Sequence, residues 1–432
     1  MLTSTHRLYD VLDVSGEAPR RIGRLSFPLM NESRTGMVQG LSGALALPLF
    51  QYDPEWLKNG FSLGFDLPLT QELLHPMPGE MNFLFMRERE VNDEVLALLE
   101  MVAPDGFPAD ASPVERRSAI APQPPRSQGA VVLSPVDPVP PLEPVSDNPA
   151  EGFGRFTEPL QRIPVFERLV YAWQLHARGK GSAKELKVLA KSCGLPGRRI
   201  NPVIQKDGRE VVLRLRAPGE MTDSAFWKTF ALHMAARAGI QCVKSEVMRS
   251  QGDTVSVSER FDRRKSDQSP RFALSATSLA TRRLNAGRPG PVSYLGMADI
   301  LNREGAAPKA DLSEMFSRIL YTTIVGSGRD TPDRWQFLRT ELGWRLAPAH
   351  SLEWASPDMM SMRPSITLDG RRPVTSAESL VLSAPYFALT PSEAKLMLAD
   401  MLRRLSQWET FAIEEEADPN DMALMGRVFE QY

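Results

Sequence analysis

Proline density is the feature that most constrains how this chain can fold. Twelve of its 36 prolines lie between Pro104 and Pro149, in a stretch also rich in Ser, Ala and Asp. Because proline lacks a backbone N–H and fixes φ, such a run predicts neither helix nor central strand. We therefore predict a Pro-rich flexible linker over residues 107–160. A PxxP ligand for a partner is the alternative interpretation of its two densest parts, Pro122-Gln-Pro-Pro-Arg and Pro138-Val-Pro-Pro-Leu-Glu-Pro.

The linker divides a chain that is long enough for more than one core. With 432 residues, two or three domains are expected. Residues 1–106 form one predicted subdomain. After the linker, residues 161–265 read as short strands with a few helices, and residues 266–432 read as helical. The predicted fold class is α+β.

Composition excludes several functions. The net charge is −2, from 51 basic and 53 acidic side chains, so DNA contact requires a local patch or a partner. Two cysteines and five scattered histidines show no metal-ligand spacing, and no metal site is predicted. The N-terminus lacks an apolar run, and no stretch reaches the roughly 18 apolar residues of a membrane helix. We predict a cytoplasmic protein without membrane contact.

Local patterns predict several elements. Phe61–Leu69 alternates apolar and polar residues, as a half-buried strand does. Residues 204–216 read as a hairpin around a Lys206-Asp-Gly turn. A helix over residues 223–238 ends before Gly239, and another over residues 311–325 has Asp311 as its N-cap. The last strong helix begins with a capping box, Thr390-Pro-Ser-Glu393.

Three motifs follow the same order as in the HipA family of Ser/Thr kinase toxins, which this chain resembles. They are Tyr52-Asp-Pro-Glu-Trp-Leu followed by a strand ending in Leu-Pro-Leu69, then Val257-Ser-Glu-Arg-Phe-Asp-Arg263, then Gly343-Trp-Arg-Leu-Ala-Pro-Ala349. The resemblance implies a two-lobed, HipA-like (protein/lipid kinase-like) fold with a mixed β N-terminal lobe and an all-helical C-terminal lobe. It makes residues 1–106 the N-terminal subdomain, and it places a Gly-rich loop and the hinge within residues 161–265.

The family's catalytic positions carry other residues here. Phosphoryl transfer needs a Lys on the phosphates, carboxylate and amide ligands for Mg²⁺, and an Asp that orients the hydroxyl. By the resemblance, Arg214 stands for the Lys, Arg329 for the catalytic Asp, Arg334 for the Mg²⁺-binding Asn and Ser351 for the second metal Asp. Lys228 stands where the family often has a helical Glu. None of the catalytic residues is retained.

Two acids could replace the lost catalytic and metal-binding groups, and other residues are predicted to contact a nucleotide. A one-residue slip would make Asp330 the catalytic acid, and Glu353 points the same way as Ser351 on a strand. Nucleotide or phosphate contacts are predicted for a further set of residues: Gly194 and Gly197 in the Gly-rich loop, Arg214, and Glu259 and Phe261 at the hinge. Three arginines would repel Mg²⁺ but attract phosphate. Alternatively, they pair with Asp330 and Asp333 or face solvent.

Three functions remain open at this point. The first is a pseudokinase that acts by binding, with a helix-turn-helix antitoxin-like partner and DNA contact only through that partner. The second is an active Ser/Thr kinase using Asp330 and Glu353, with ATP and Mg²⁺ as cofactors. The third is a scaffold whose cleft is empty and whose linker recruits partners. We predict that phosphoryl transfer is lost and that no cofactor is needed.

Overall fold

A computed structural model describes most of the chain. The residues outside it are 1–5, 30–46, 103–109, 119–128, 137–162, 194, 196–199, 217–218, 251, 286–287, 328–329, 355–365, 375 and 430–432. Three predicted site residues, Gly194, Gly197 and Arg329, therefore lie outside the described residues, as do both PxxP segments.

The described residues form strands and helices in an α+β arrangement, as predicted. The strands are β1 His6–Asp13, β2 Arg20–Pro28, β3 Leu49–Tyr52, β4 Val131–Pro135, β5 Val203–Lys206, β6 Arg209–Leu215, β7 Ser245–Ser250, β8 Asp253–Glu259, β9 Ala273–Ser275, β10 Leu284–Asn285, β11 Arg288–Pro289, β12 Gln336–Thr340 and β13 Gly343–Leu346. The helices are α1 Pro54–Asn59, α2 Leu84–Arg87, α3 Asp93–Val102, α4 Pro113–Ser118, α5 Ile163–Ala177, α6 Ala183–Ser192, α7 Ser224–Arg237, α8 Ala276–Leu279, α9 Tyr294–Glu304, α10 Pro308–Ile324, α11 Ala377–Val381, α12 Pro391–Leu405, α13 Trp408–Glu414 and α14 Pro419–Phe429. Short 3-10 helices cover Pro332–Arg334 and Ala384–Phe387.

The chain divides into two compact units. Unit 1 comprises Met1–Gly208, Asp262–Leu274 and Leu284–Pro289. Unit 2 comprises Arg209–Phe261, Ser275–Arg283 and Gly290–Tyr432. Within the described ranges, none of the helices combines the length and the apolar character needed to cross a bilayer.

Unit 1 is built on an antiparallel sheet with the strand order β3-β2-β1-β4. Its buried face carries Val11, Ile22 and Leu25, all of which are inaccessible to solvent. Burying each such side chain stabilises the fold by roughly 1.5–3 kcal/mol. Asp53 caps α1 by accepting a hydrogen bond from the Glu55 N–H at 2.9 Å, and Pro54 occupies the first helical turn, where no N–H donor is missed.

The Pro-rich segment contains ordered structure that its composition did not predict. Strand β4 pairs with β1 at the sheet edge, where Pro135 is tolerated because an edge strand need not donate every N–H. In α4, the buried Glu115 accepts hydrogen bonds from Arg7 at 2.7 Å and from the Tyr9 hydroxyl at 2.8 Å. Residues 113–118 and 131–135 thus belong to the fold of unit 1, and the boundaries at 106 and 160 stay predictions.

The strand predicted over Phe61–Leu69 is wrong. The segment is a series of turns, although Leu63 and Leu67 are buried as the alternation requires. The backbone groups there are satisfied by side chains instead of a neighbouring strand. The Tyr52 hydroxyl donates to the Leu67 carbonyl at 2.8 Å and accepts from the Leu63 N–H at 3.0 Å.

Unit 2 packs helix α7 on a sheet with the order β6-β8-β7. The Thr229 hydroxyl of α7 donates to the Ser256 hydroxyl of β8 at 2.7 Å, and both residues are fully buried. Asp223 caps α7 and Gly239 follows it with φ of 90°, so the predicted ends of this helix are confirmed. The capping box of Thr390 and Glu393 at the start of α12 is also confirmed.

Asp311 does not cap its helix. Helix α10 begins earlier, with Pro308 in its first turn, which leaves Asp311 inside the first turn. The Asp311 carboxylate instead accepts a hydrogen bond from Arg345 Nε of β13 at 2.7 Å. Helix α10 also supports α7, because the Tyr321 hydroxyl donates to the Ala231 carbonyl at 2.7 Å.

We expect Glu115→Gln to destabilise the protein by about 1–3 kcal/mol, because it weakens two buried hydrogen bonds to a charged acceptor. The free energy of unfolding from urea denaturation measures this. Asp110→Asn is the matched control, since Asp110 also accepts from Arg7 but its side chain is 44% exposed. The control should cost less than about 1 kcal/mol. Equal effects would contradict the placement of α4 in the core of unit 1.

Candidate functional site

Arg214 is held near the start of α7 by one acid, Glu220, and one hydroxyl, that of Ser224. It lies on β6 and is 8% exposed. Its Nη2 is 3.4 Å from the Ser224 Oγ and 3.6 Å from the Glu220 Oε1. The Ser224 hydroxyl in turn donates to Glu220. The charge of Arg214 is therefore largely compensated by Glu220.

Arg334 and Glu353 form an ion pair beside the strands β12 and β13 of unit 2. Arg334 ends the 3-10 helix before β12, and Glu353 follows β13. Arg334 Nη2 and Glu353 Oε2 are 3.1 Å apart, with side-chain exposures of 18% and 21%. Burial acts to lower the pKa of Arg334, but the hydrogen bond and charge of Glu353 and the charges of Asp330 and Asp333 together outweigh it, and the pKa is raised. The sequence left open a pairing of Arg334 with Asp330 or Asp333; the ion pair that forms is with Glu353, and the two aspartates add their charges.

Lys228 lies in the electrostatic field of both Arg214 and Arg334. It lies on α7, and its pKa is lowered to about 8, mainly by burial and then by the positive charges of Arg214 and Arg334. The carboxylate of Glu353 acts in the opposite direction. Because all three partners act on its amine, Arg214, Lys228, Arg334 and Glu353 share one electrostatic environment. We call these four residues the basic cluster.

Asp330 is buried beside the cluster and already engaged. It is 5% exposed, and its two carboxylate oxygens accept from the Tyr294 hydroxyl at 2.5 Å and from Trp335 Nε1 at 2.8 Å. Burial raises the pKa of Asp330, and these two hydrogen bonds act against the rise. The geometry is that of a carboxyl that fixes the loop before β12.

The predicted hinge residues also have partners within unit 2. Arg209 forms an ion pair with the carboxylate of Glu259. Phe261 stacks on His350, with ring centroids 4.3 Å apart and an angle of 30° between the rings. Ser351 follows His350 and is partly buried.

The cluster suits anions better than cations. Glu353 is paired with Arg334, Glu220 lies beside Arg214, and Lys228 adds a further positive charge, so these acids do not form the donor set of a divalent metal. Among the described residues, no group of three or more His, Cys, Asp or Glu side chains comes together as a metal site.

Cys242 offers no nucleophile, since burial raises the pKa of its thiol to about 12.

Sequence reasoning brought Arg214 and Arg334 to one place but missed the acids that compensate them. Glu220, three residues before the N-cap Asp223 of α7, was not singled out. Glu353 was read as a metal ligand and not as an ion-pair partner. Lys228 was recognised only as the replacement of a glutamate. The signal for the two acids was the same, since a partly buried cation requires an acid nearby.

A family model shows the family of this chain, and one solved structure shows its fold. The family described as HipA-like C-terminal domain matches residues 178–408, more than half of the chain. No curated protein matches the sequence. Among solved structures, HipA of Shewanella oneidensis, from a complex of HipA, HipB and its operator DNA, is similar with 14% identity and a TM-score of 0.60 over 98% of this chain and 95% of that chain. The Helicobacter pylori proinflammatory kinase CtkA is similar with 12% identity and a TM-score of 0.33 over 50% of this chain and 94% of that chain. The first match confirms the predicted HipA-like, kinase-like α+β fold.

We expect Glu353→Gln to lower the free energy of unfolding by about 1–3 kcal/mol at neutral pH, because it leaves three partly buried cations with less compensation. Urea denaturation measures the loss. Asp400→Asn is the control, since Asp400 also pairs with arginine, Arg404 at 2.7 Å, but its side chain is 43% exposed. The control should stay within about 0.5 kcal/mol of the wild type. A Glu353 variant as stable as the control would show that the cluster does not need its acid.

Proposed function

Because the chain belongs to the HipA-like C-terminal domain family, we propose that it is a kinase-fold protein that has lost phosphoryl transfer and acts by binding in a toxin–antitoxin-type system. The observation that carries this proposal is the basic cluster, in which Glu353 is bonded to Arg334 at 3.1 Å. By the family resemblance, Arg334 stands at the Mg²⁺-binding Asn, and Ser351 at the second metal Asp. The carboxylate of Glu353 is thus paired with a guanidinium.

Electrostatic magnitudes support the loss of the metal. At an effective dielectric constant of about 20, a dication about 6 Å from one guanidinium is opposed by about 5 kcal/mol. Lys228 and Arg334 would each add a repulsion of this kind, while Glu353 supplies one attraction and Glu220 offsets the charge of Arg214. ATP carries its γ-phosphate to such enzymes as a Mg²⁺ complex, so a site that repels the metal loses the means of stabilising the transferred group.

The active-kinase alternative requires Asp330 and Glu353 to change partners. Asp330 would have to reach a substrate hydroxyl, but it is 5% exposed and its oxygens accept hydrogen bonds from Tyr294 and Trp335. Glu353 would have to leave Arg334 to bind a metal. These contacts favour a binding protein over an enzyme. They also favour a cluster closed by its own acids over one that binds phosphate strongly.

The partner we propose is a helix-turn-helix antitoxin-like protein. The support is the fold, which is shared with a HipA found together with HipB and operator DNA. The charge balance of the chain, 51 basic against 53 acidic side chains, supports DNA contact through such a partner and not directly. We further propose that the protein acts in the cytoplasm.

Calorimetry with ATP tests the proposal. We expect weak binding, with a Kd in the millimolar range, that is no tighter in Mg²⁺ than in EDTA, because the positive charges of the basic cluster repel the metal. Glu353→Gln should tighten binding in EDTA by about tenfold, since it frees Arg334 to donate to phosphate. Arg334→Ala in the same background should remove that gain.

Two results would contradict the proposal. The first is a wild-type protein that binds ATP at least about tenfold more tightly with Mg²⁺ than with EDTA. The second is a Glu353→Gln variant whose affinity for ATP in EDTA equals that of the wild type, which would mean that Glu353 does not close the cluster.

A further inference from the structure

An acidic turn after α13 reaches back to helix α7. Glu415 Oε2 lies 2.8 Å from His233 Nδ1, and Glu415 Oε1 lies 3.1 Å from Arg237 Nη1. His233 and Arg237 are four residues apart on α7 and so face the same side. On the other side of the imidazole ring, His233 Nε2 lies 2.9 Å from the Ser245 carbonyl of β7.

This geometry selects the protonated form of His233. Both ring nitrogens face oxygen acceptors, and neither the Glu415 carboxylate nor the Ser245 carbonyl can donate. A neutral imidazole has one N–H and can satisfy one of them, whereas an imidazolium satisfies both. Accordingly, the hydrogen bond to Glu415 raises the pKa of His233.

The same segment also grips the other end of α7. Asp421 of α14 accepts from the Asp223 N–H at 2.7 Å and from Trp227 Nε1 at 3.0 Å. Trp408, which opens α13, packs against Trp227 with ring centroids 6.4 Å apart. Residues 408–421 therefore contact α7 at its first turn and near its last.

The other charged groups around His233 come from three elements. Arg237, Glu246, Arg249 and Glu415 line the same cleft of about 460 Å³. Arg249 of β7 pairs with Glu416 at 2.9 Å, and Arg404 of α12 donates to the Arg237 carbonyl at 2.7 Å. Carboxylates and guanidinium groups ordinarily titrate outside the range between about pH 6 and 9, whereas histidine titrates inside it. His233 is therefore the group in this cleft whose charge changes in that range.

We propose that residues 408–421 form a pH-responsive strap over α7, which protonated His233 closes and which loosens when His233 loses its proton. The proposal goes beyond the function proposed above and does not depend on it. Since α7 also carries Lys228, the strap fixes the helix that presents this amine to the basic cluster.

The direction of the pH effect follows from the two partners. The pKa of His233 is raised, so its contribution is complete below its ordinary value of 6.5 and is lost as the pH rises through the raised value. Burial acts to raise the pKa of Glu415, but the hydrogen bonds from His233 and Arg237 outweigh it and lower the pKa. The contribution of Glu415 to stability is complete above its ordinary pKa of 4.5 and is lost as the pH falls through the lowered value. We therefore expect the strap to be held most tightly between pH 4.5 and pH 6.5.

Hydrogen exchange of the full chain tests the strap. Protection factors, which correct for the intrinsic pH dependence of exchange, are compared at about pH 6 and about pH 8.5 for α7 and residues 408–421. In the wild type we expect protection to fall by about tenfold at the higher pH, the factor that one charge-assisted hydrogen bond corresponds to. His233→Gln should give low protection at both pH values, because an uncharged amide donates to only one of the two acceptors.

Adjacent acids provide the matched control. Glu415→Gln should abolish the pH dependence, whereas Glu416→Gln should keep it, because Glu416 pairs with the exposed Arg249 and not with His233. If His233→Gln fails to fold, the comparison of the two glutamate variants decides. Equal pH dependence in both glutamate variants, or a wild type whose protection factors do not change, would overturn the proposal.

Discussion

The ion pair of Arg334 and Glu353 is the interaction on which the candidate site depends. Arg214, Lys228 and Arg334 bring three positive charges into one partly buried region, where repulsion between them is only weakly screened. Glu353 compensates part of this charge at the centre, and Glu220 compensates Arg214 at the edge. The pKa of Lys228 is lowered to about 8, first by burial and then by the positive charges of Arg214 and Arg334. A divalent metal would be repelled by the same positive charges, which supports the proposed loss of phosphoryl transfer.

Helix α7 links the basic cluster to the rest of unit 2 through its packing and hydrogen bonds. It places Lys228 in the cluster, and its other faces are fixed by Thr229 on Ser256 and by the Ala231 carbonyl on Tyr321. The C-terminal residues hold it at both ends through Asp421 and Glu415. The position of Lys228 in the cluster thus depends on the packing of α7, because Lys228 lies on this helix.

Signals that act within a few residues predicted the structure well. The cap of α7, the capping box of α12 and the turn after β5, with Asp207 and Gly208 at positive φ, were all readable from the sequence. Signals that join distant residues were not. The pair of Arg334 and Glu353, the buried Glu115 within a Pro-rich stretch, and the side-chain bonds that replace a strand at Phe61–Leu69 all depend on partners that the fold brings together. The replacement of the catalytic positions stays a prediction that rests on the motifs flanking them, and the partners of Arg334 and Arg214 could not be read from the sequence.

The most direct test of the central claim is incubation of the pure protein with Mg²⁺ and ATP labelled at the γ-phosphate, with and without a protein substrate. The account predicts no Mg²⁺-dependent transfer of label, to itself or to a substrate, in the wild type and in Asp330→Asn alike, because the carboxylates near the cluster are already bonded to Arg334, Tyr294 and Trp335. Mg²⁺-dependent incorporation that disappears in Asp330→Asn would contradict it, and would make this protein an active kinase with rearranged catalytic residues.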